Sequence, residues 1–312
     1  MSTSLLGSGR HTYEVVPGWP KVPDDVKLGF THGVAVDSQN RVYVFNQGEH
    51  AMCVFDEDGK FIKSWNNGYE KGAHGLTLVR EHGQEFLWLC DYSTQRVVKT
   101  TLDGQEFLKL PFPPRREIYP EDKNYIPTNV AAVPDGDVYV ADGYGRSWIH
   151  QYSNRGQYIR SFGGKGTEPG KFQCPHGIIV NTRRVTPTLL IADRANVRLQ
   201  AVDFSGNPIA CFGSEHLRHP CHFDIAPNGD LLVPDLHGRV TIFDRDNQLV
   251  THLGDNPGIE KDPEYPNLPK ERWQADKFIS PHSACWDRRG DLYVVEWIRI
   301  GRITKLKRVT KG

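Results

Sequence analysis

Short apolar runs recur along the chain, each closed by Gly, Asp, Asn or Pro, and none continues at the 3.6-residue spacing of a helix. The most regular are Val42-Tyr-Val-Phe45, Phe86-Leu-Trp-Leu89, Val138-Tyr-Val-Ala141, Leu189-Leu-Ile-Ala192, Leu231-Leu-Val233 and Leu292-Tyr-Val-Val295. Ahead of each lies another short strand, separated from it by a turn such as Asp135-Gly-Asp137, Asn228-Gly-Asp230 or Arg289-Gly-Asp291. After each comes a third strand, as in Arg96-Val-Val-Lys99 and Val240-Thr-Ile-Phe243, then a further turn and a fourth strand. Turn dipeptides between β-rich runs predict hairpins, so each repeat is an antiparallel meander. Six repeats with a period near 45 residues predict an all-β, six-bladed β-propeller of four-stranded antiparallel blades. The last repeat has only three strands, and Tyr13-Glu-Val-Val16 is expected to supply its fourth and close the ring. Residues 1–312 then form a single propeller domain.

The first strand of every repeat opens on one equivalent position. It is occupied by His32, His74, Thr128, His176, His222 and His282, spaced 42, 54, 48, 46 and 60 residues apart. In a propeller the first strand lines the central channel, so these side chains are expected at one channel mouth. The second strands end in Asn46, Asp91, Asp142, Asp193, Asp235 and Glu296, which an antiparallel hairpin places beside the start of the first strand. His74, His176 and His282 come from alternate repeats and are related by threefold symmetry. Three neutral imidazoles with open positions beyond them suit a catalytic metal, zinc best, although imidazole also binds other divalent transition metals. The other reading is a polar, water-filled channel plug. His32 and His222 are candidates for extra ligands, outer-shell donors or a pH-sensitive rim.

Charge narrows the field of partners. The 38 basic and 38 acidic residues cancel, which excludes a nucleic-acid footprint or a membrane-surface patch as the main theme. No run approaches the roughly 18 apolar residues of a spanning helix. The N-terminus carries no sustained apolar segment of the secretory kind. Cys53, Cys90, Cys174, Cys211, Cys221 and Cys285 form no CxxC pair and read as reduced thiols of a cytoplasmic protein. Cys174 and Cys221, just ahead of His176 and His222, are expected to pack beneath their loops.

The three histidines, Asp142-Gly-Tyr144 and Ala192-Asp-Arg194-Ala-Asn resemble the lyase domain of peptidylglycine α-amidating enzymes, a six-bladed propeller of NHL-type repeats. The resemblance runs from about Phe30 to Leu306. It implies zinc on His74, His176 and His282, Tyr144 as the catalytic base and Arg194 beside it. It also implies cleavage of a peptidyl-α-hydroxyglycine to a peptide amide and glyoxylate. The chain departs from the family at three places. Phe45-Asn-Gln47-Gly-Glu49-His50 has Gln47 where the family has a substrate-binding arginine, and glutamine cannot pair in charge with a carboxylate. Ser283 replaces an aspartate that helps hold calcium, so no calcium is expected. Gly145 stands where the family has a disulfide next to its tyrosine.

Three functions remain open on the sequence. The first is a zinc lyase acting on a carbinolamide. The second is a metal-dependent hydrolase or lyase for another small, uncharged or aromatic substrate. The third is a non-catalytic propeller that binds a protein partner. For an enzyme, Gln47, His50 and Glu296 join His32 and His222 as candidate substrate or channel contacts.

Overall fold

Turn chemistry shapes the sheets. Asp56, Asp203 and Asp244 open the turns between third and fourth strands, and one carboxylate oxygen of each accepts the backbone N–H groups two and four residues on, at 2.8–3.0 Å. Such Asx turns fold the chain back on itself before any long-range contact is needed. The computed structural model describes residues 5–134 and 136–309. Asp135, which opens the expected turn of the third repeat, lies outside the described residues.

The chain forms a six-bladed β-propeller of antiparallel sheets, and among the described residues its only helices are short 3₁₀ turns. None of these helices is long or apolar enough to cross a membrane. The residues gather into two compact units. One holds the chain up to Glu70 together with that from His216 onward, and the other holds Lys71–Glu215.

The Lys71–Glu215 unit contains three blades with first strands Ala73–Glu81, Asn129–Ala132 and Pro175–Asn181. Its blades pack face to face. Trp88, Val97, Val130, Val140 and Tyr152 form one core between neighbouring sheets, and Tyr139, Ile149, Phe172, Ile178 and Ile191 form the next. The other unit contains the blades that open at Thr31–Val36, Asp224–Ile225 and Pro281–Trp286. Its cores centre on Tyr13, Leu232, Ile242 and Leu292, and on Trp19, Val44, Phe55 and Tyr293. Second strands such as Val42–Asn46, Leu231–Asp235 and Leu292–Glu296 are buried end to end, whereas the fourth strands Glu106–Lys109 and Pro208–Phe212 are largely exposed. Strands covered on both faces read as continuous apolar runs, which is why the second strands stand out in the sequence.

The last blade has the expected N-terminal strand and one more. His11–Val15 pairs antiparallel with Arg302–Arg308, and Leu5–Ser8 pairs outside it, making a five-stranded sheet. Four strands were expected. The extra one follows from a tight hairpin at Gly9, whose φ of 56° suits glycine, and from Leu6, buried against the core of this blade. A four-residue segment with one apolar anchor carries almost no periodic signal.

Tyr13 is fully buried, and its hydroxyl accepts the Trp286 indole N–H at 3.0 Å. Tyr13→Ala should cost about 3–5 kcal/mol in urea unfolding, in the range of other large buried aromatics. Deletion of residues 1–18 should cost at least as much, because it strips the outer strands of the last blade. An unchanged urea midpoint in either variant would show that this hairpin does not hold the blade together.

Candidate metal and acid–base site

The repeated histidines sit where the sheet register breaks. Pairing between first and second strands shifts between Thr31 and Gly33, Ala73 and Leu76, Pro175 and Ile178, and Pro281 and Ser283. Each shift brackets His32, His74, His176 or His282. In the blade with Thr128 at this position, pairing runs without a break from Asn129↔Ala141 to Ala132↔Val138. An irregularity of this kind re-aims the side chain it carries, and here it accompanies imidazole and not threonine.

Four of the sequence candidates meet within the Lys71–Glu215 unit. The Tyr144 hydroxyl lies 3.1 Å from His74 Nε2 and 2.9 Å from His176 Nε2. The Arg194 guanidinium approaches that hydroxyl to 3.5 Å and sits 5.2 Å from the centre of the Tyr144 ring. The rings of His74 and His176 are 4.8 Å apart and both are buried, while Tyr144 is 37% exposed. His74 Nδ1 is 2.7 Å from the Thr128 carbonyl oxygen. A carbonyl can only accept, so Nδ1 carries the proton and Nε2 presents its lone pair. Tyr92 packs edge-on to both His74 and Tyr144, with ring centroids at 5.9 and 6.1 Å. Sequence reasoning missed it. The signal was an aromatic one or two residues past three of the six second-strand termini, in Asp91-Tyr92, Asp142-Gly-Tyr144 and Glu296-Trp297.

The other unit repeats the orienting contact. His282 Nδ1 donates to the His32 carbonyl oxygen at 2.7 Å, which again leaves Nε2 as the lone-pair nitrogen. The His32 ring stands edge-on to His282 at 4.5 Å, with its Nδ1 3.3 Å from His282 Nε2. Neither ring nitrogen of His222 has a hydrogen-bond partner among the described residues. Burial lowers the pKa of His222 to about 4, so it is neutral at physiological pH. An imidazole whose Nδ1–H is held by a carbonyl keeps its Nε2 lone pair free for a divalent transition metal, so His74 and His282 each fit as a ligand.

The polar termini of the second strands have another use. Asn46 accepts from Gly29 N, Asp142 from Ile126 N, Asp193 from Gln173 N, Asp235 from Arg218 N and His219 N, and Glu296 from Ile279 N and Ser280 N. They tie down the loops that enter the first strands. Glu296, a candidate substrate contact on the sequence, is buried in this role and also pairs with Arg302 at 3.1 Å. His50 Nδ1 bonds Ser64 Oγ at 2.7 Å, and the backbone N–H of Gln47 donates to Phe30 O at 3.0 Å. A Cβ at Gly145 would fall 2.0 Å from Asp142 Oδ1, so the cysteine of the resembling family does not fit there. All six cysteines are free. Cys174 sits at a positive φ of 59° and its carbonyl accepts Arg194 N–H, so it shapes the loop that carries Arg194.

Behind Tyr144 runs a buried chain of hydrogen bonds. Tyr119 OH is 2.6 Å from Asp142 Oδ2 and 2.8 Å from His150 Nε2, and His150 Nδ1 is 2.7 Å from Ser161 Oγ. Burial pushes Asp142 up to about 7 and holds His150 neutral at about 3. A protonated Asp142 can donate to Tyr119, whose own proton then goes to His150 Nε2, and the chain is satisfied without a buried charge.

No protein-family model matches the chain. It is 28% identical over 236 residues to human NHL repeat-containing protein 3, covering 71% of this chain and 66% of that protein. It is also 28% identical over 234 residues to peptidyl-alpha-hydroxyglycine alpha-amidating lyase 1 of Drosophila melanogaster, covering 62% of this chain and 41% of that one. Its homologues include amidating lyases. The matches thus span less than two thirds of these relatives' own lengths. A gluconolactonase from Xanthomonas campestris shares the fold, with a TM-score of 0.65 at 13% identity over 99% of this chain and 96% of that one. The chain is a propeller similar to these lyases, and four of the residues carrying the resemblance, His74, Tyr144, His176 and Arg194, lie together.

The Asp142 network sets a pH dependence of stability. The carboxyl keeps its proton in the folded protein up to about pH 7 but loses it near 4 when unfolded, so stability falls as pH rises between these values. Asp142→Asn should flatten the slope of unfolding free energy against pH in that window, whatever it does to absolute stability. Equal slopes for wild type and variant would show that Asp142 ionises normally.

Proposed function

We propose that this propeller is a metal-dependent lyase that cleaves a carbinolamide of the α-hydroxyglycine type, with the metal, zinc by choice of donors, on the repeat-equivalent His74, His176 and His282. The observation that carries the reading is the Tyr144 hydroxyl, set between the Nε2 atoms of His74 and His176 with Arg194 against it. The bound metal would act as a Lewis acid that makes a substrate hydroxyl easier to ionise. Tyr144 takes the proton from that hydroxyl. Arg194 favours the phenolate form through its charge, which a tyrosine base requires near neutral pH. As the C–O⁻ collapses to a carbonyl, the C–N bond breaks and the departing amide nitrogen regains the proton from Tyr144. One carbinolamide gives one amide and one aldehyde, and no redox partner is needed. The substrate is a small molecule.

His222 supports a second reading. A buried imidazole that burial holds neutral keeps a lone pair that could accept a hydrogen bond from a metal-bound water and orient it, as a metal-dependent hydrolase would need.

Elemental analysis and turnover test these readings together. His74→Ala, His176→Ala and His282→Ala should each lose most of the bound metal. His32→Ala should retain it, because the carbonyl that orients His282 belongs to the backbone of residue 32. Tyr144→Phe should keep the metal but lose about 10²–10⁴-fold in glyoxylate release from an α-hydroxyglycine substrate. Arg194→Lys should also fall, since an ammonium cannot reproduce the planar guanidinium. Full activity in Tyr144→Phe would rule out the lyase mechanism, and its loss in His222→Gln would then favour the hydrolase. A wild-type protein that binds no metal would refute both.

A further inference from the structure

The Tyr144 hydroxyl faces two histidines, but the residue also lines a groove of about 680 Å³ within the same unit. That is room for a substituent of appreciable size. Its walls come from three segments, the first being the link ahead of the Thr128 blade with Glu117, Ile118 and Asn124. The turn after the second strand of the Thr128 blade supplies Tyr144, Arg146 and Trp148, and the connection to the next blade supplies Lys165 and Lys171.

The walls are built closely. A Cβ at Gly164 would lie 3.0 Å from the Trp148 ring, so the indole rests directly on backbone. Lys171 Nζ donates to Gly163 O at 2.7 Å and lies 5.6 Å from the centre of the Trp148 ring. Phe172, fully buried, pins this connection through backbone bonds with Gly164 and Gly166. The charges are one-sided. Arg146, Lys165 and Lys171 are exposed and form no salt bridge among the described residues, while Glu117, the only acid among the described residues that line the groove, is held by Arg115.

We infer that the substrate carries an anionic group, a carboxylate or its like, on the amide side of its reacting carbon, and that Arg146, Lys165 and Lys171 hold it in this groove. The inference rests on Tyr144 marking the reacting centre, as proposed above. It also bears on Gln47. Where the resembling family is expected to meet an anion with an arginine, this chain has a neutral amide, and its cationic side chains line the groove beside the tyrosine instead.

Two synthetic compounds test it, N-benzoyl-α-hydroxyglycine and N-(4-carboxybenzoyl)-α-hydroxyglycine, which differ only by a carboxylate on the acyl group. Their dissociation constants are measured by calorimetry and their turnover by glyoxylate release. Wild type should favour the carboxylated compound about tenfold in Kd, which two or three exposed ion pairs can supply, and the preference should shrink with added salt. Lys165→Gln/Lys171→Gln should bring the ratio close to one, Arg146→Gln should lower it part-way, and Lys165→Glu should lower it further. Arg146→Gln and Lys165→Glu leave the Lys171 contact to Gly163 in place, so they report even if the double variant folds poorly. A wild-type ratio near one, or a ratio that these substitutions do not move, would overturn the inference. If neither compound is turned over but the affinity ratio follows the cations, the lyase reading fails and the anionic groove stands.

Discussion

A buried side-chain oxygen at the end of a blade's second strand, accepting the N–H of the loop that enters the first, is the contact on which the rest of this structure depends. Asn46, Asp142, Asp193, Asp235 and Glu296 all make it, two to four residues ahead of the position that carries His or Thr. All five are fully buried. Burying a carboxylate is costly, and backbone N–H donors offset that cost only when the loop is correctly placed. The requirement is therefore geometric as well as energetic: where the loop is misplaced, a buried polar oxygen is left unsatisfied. The site inherits its precision from these anchors.

The second layer of positioning is the tautomer. His74 and His282 each donate Nδ1–H to the carbonyl of the repeat-equivalent residue in the neighbouring blade, Thr128 and His32. Because the partner is backbone, threonine serves as well as histidine, and Thr128 fits the series although it brings no nitrogen. Register shifts accompany the histidines and are absent at Thr128, which ties the irregular pairing to the imidazoles and not to the propeller as such. Asp142 connects the layers. It anchors the loop at Ile126, accepts Arg146 N–H beyond Tyr144, and meets Tyr119 in the buried chain. A carboxyl with burial and several donors at once is poised between its protonation states, and its state is felt two residues from the candidate base.

The sequence by itself determined the architecture, because doubly covered strands and Asx and Gly turns are local signals that repeat six times. It also determined which residues are unusual, since a histidine at one repeat-equivalent position is visible by alignment of the chain with itself. The N-terminal closing strand was legible from the missing fourth strand of the last repeat. What the sequence could not separate was role from position. Glu296 and the Asp series lie as near the histidines in the pairing scheme as any substrate contact would, and only the tertiary structure turns their oxygens toward backbone N–H groups. Leu5–Ser8 was too short to register, and Tyr92 looked like any aromatic at a strand end. The groove beside Tyr144 joins Arg146 to Lys165 and Lys171 across some twenty residues of chain, and no periodicity connects them. Local pattern specifies the strands; which side chains then share a cavity depends on how loops between strands pack, and that is decided only when the blades are folded.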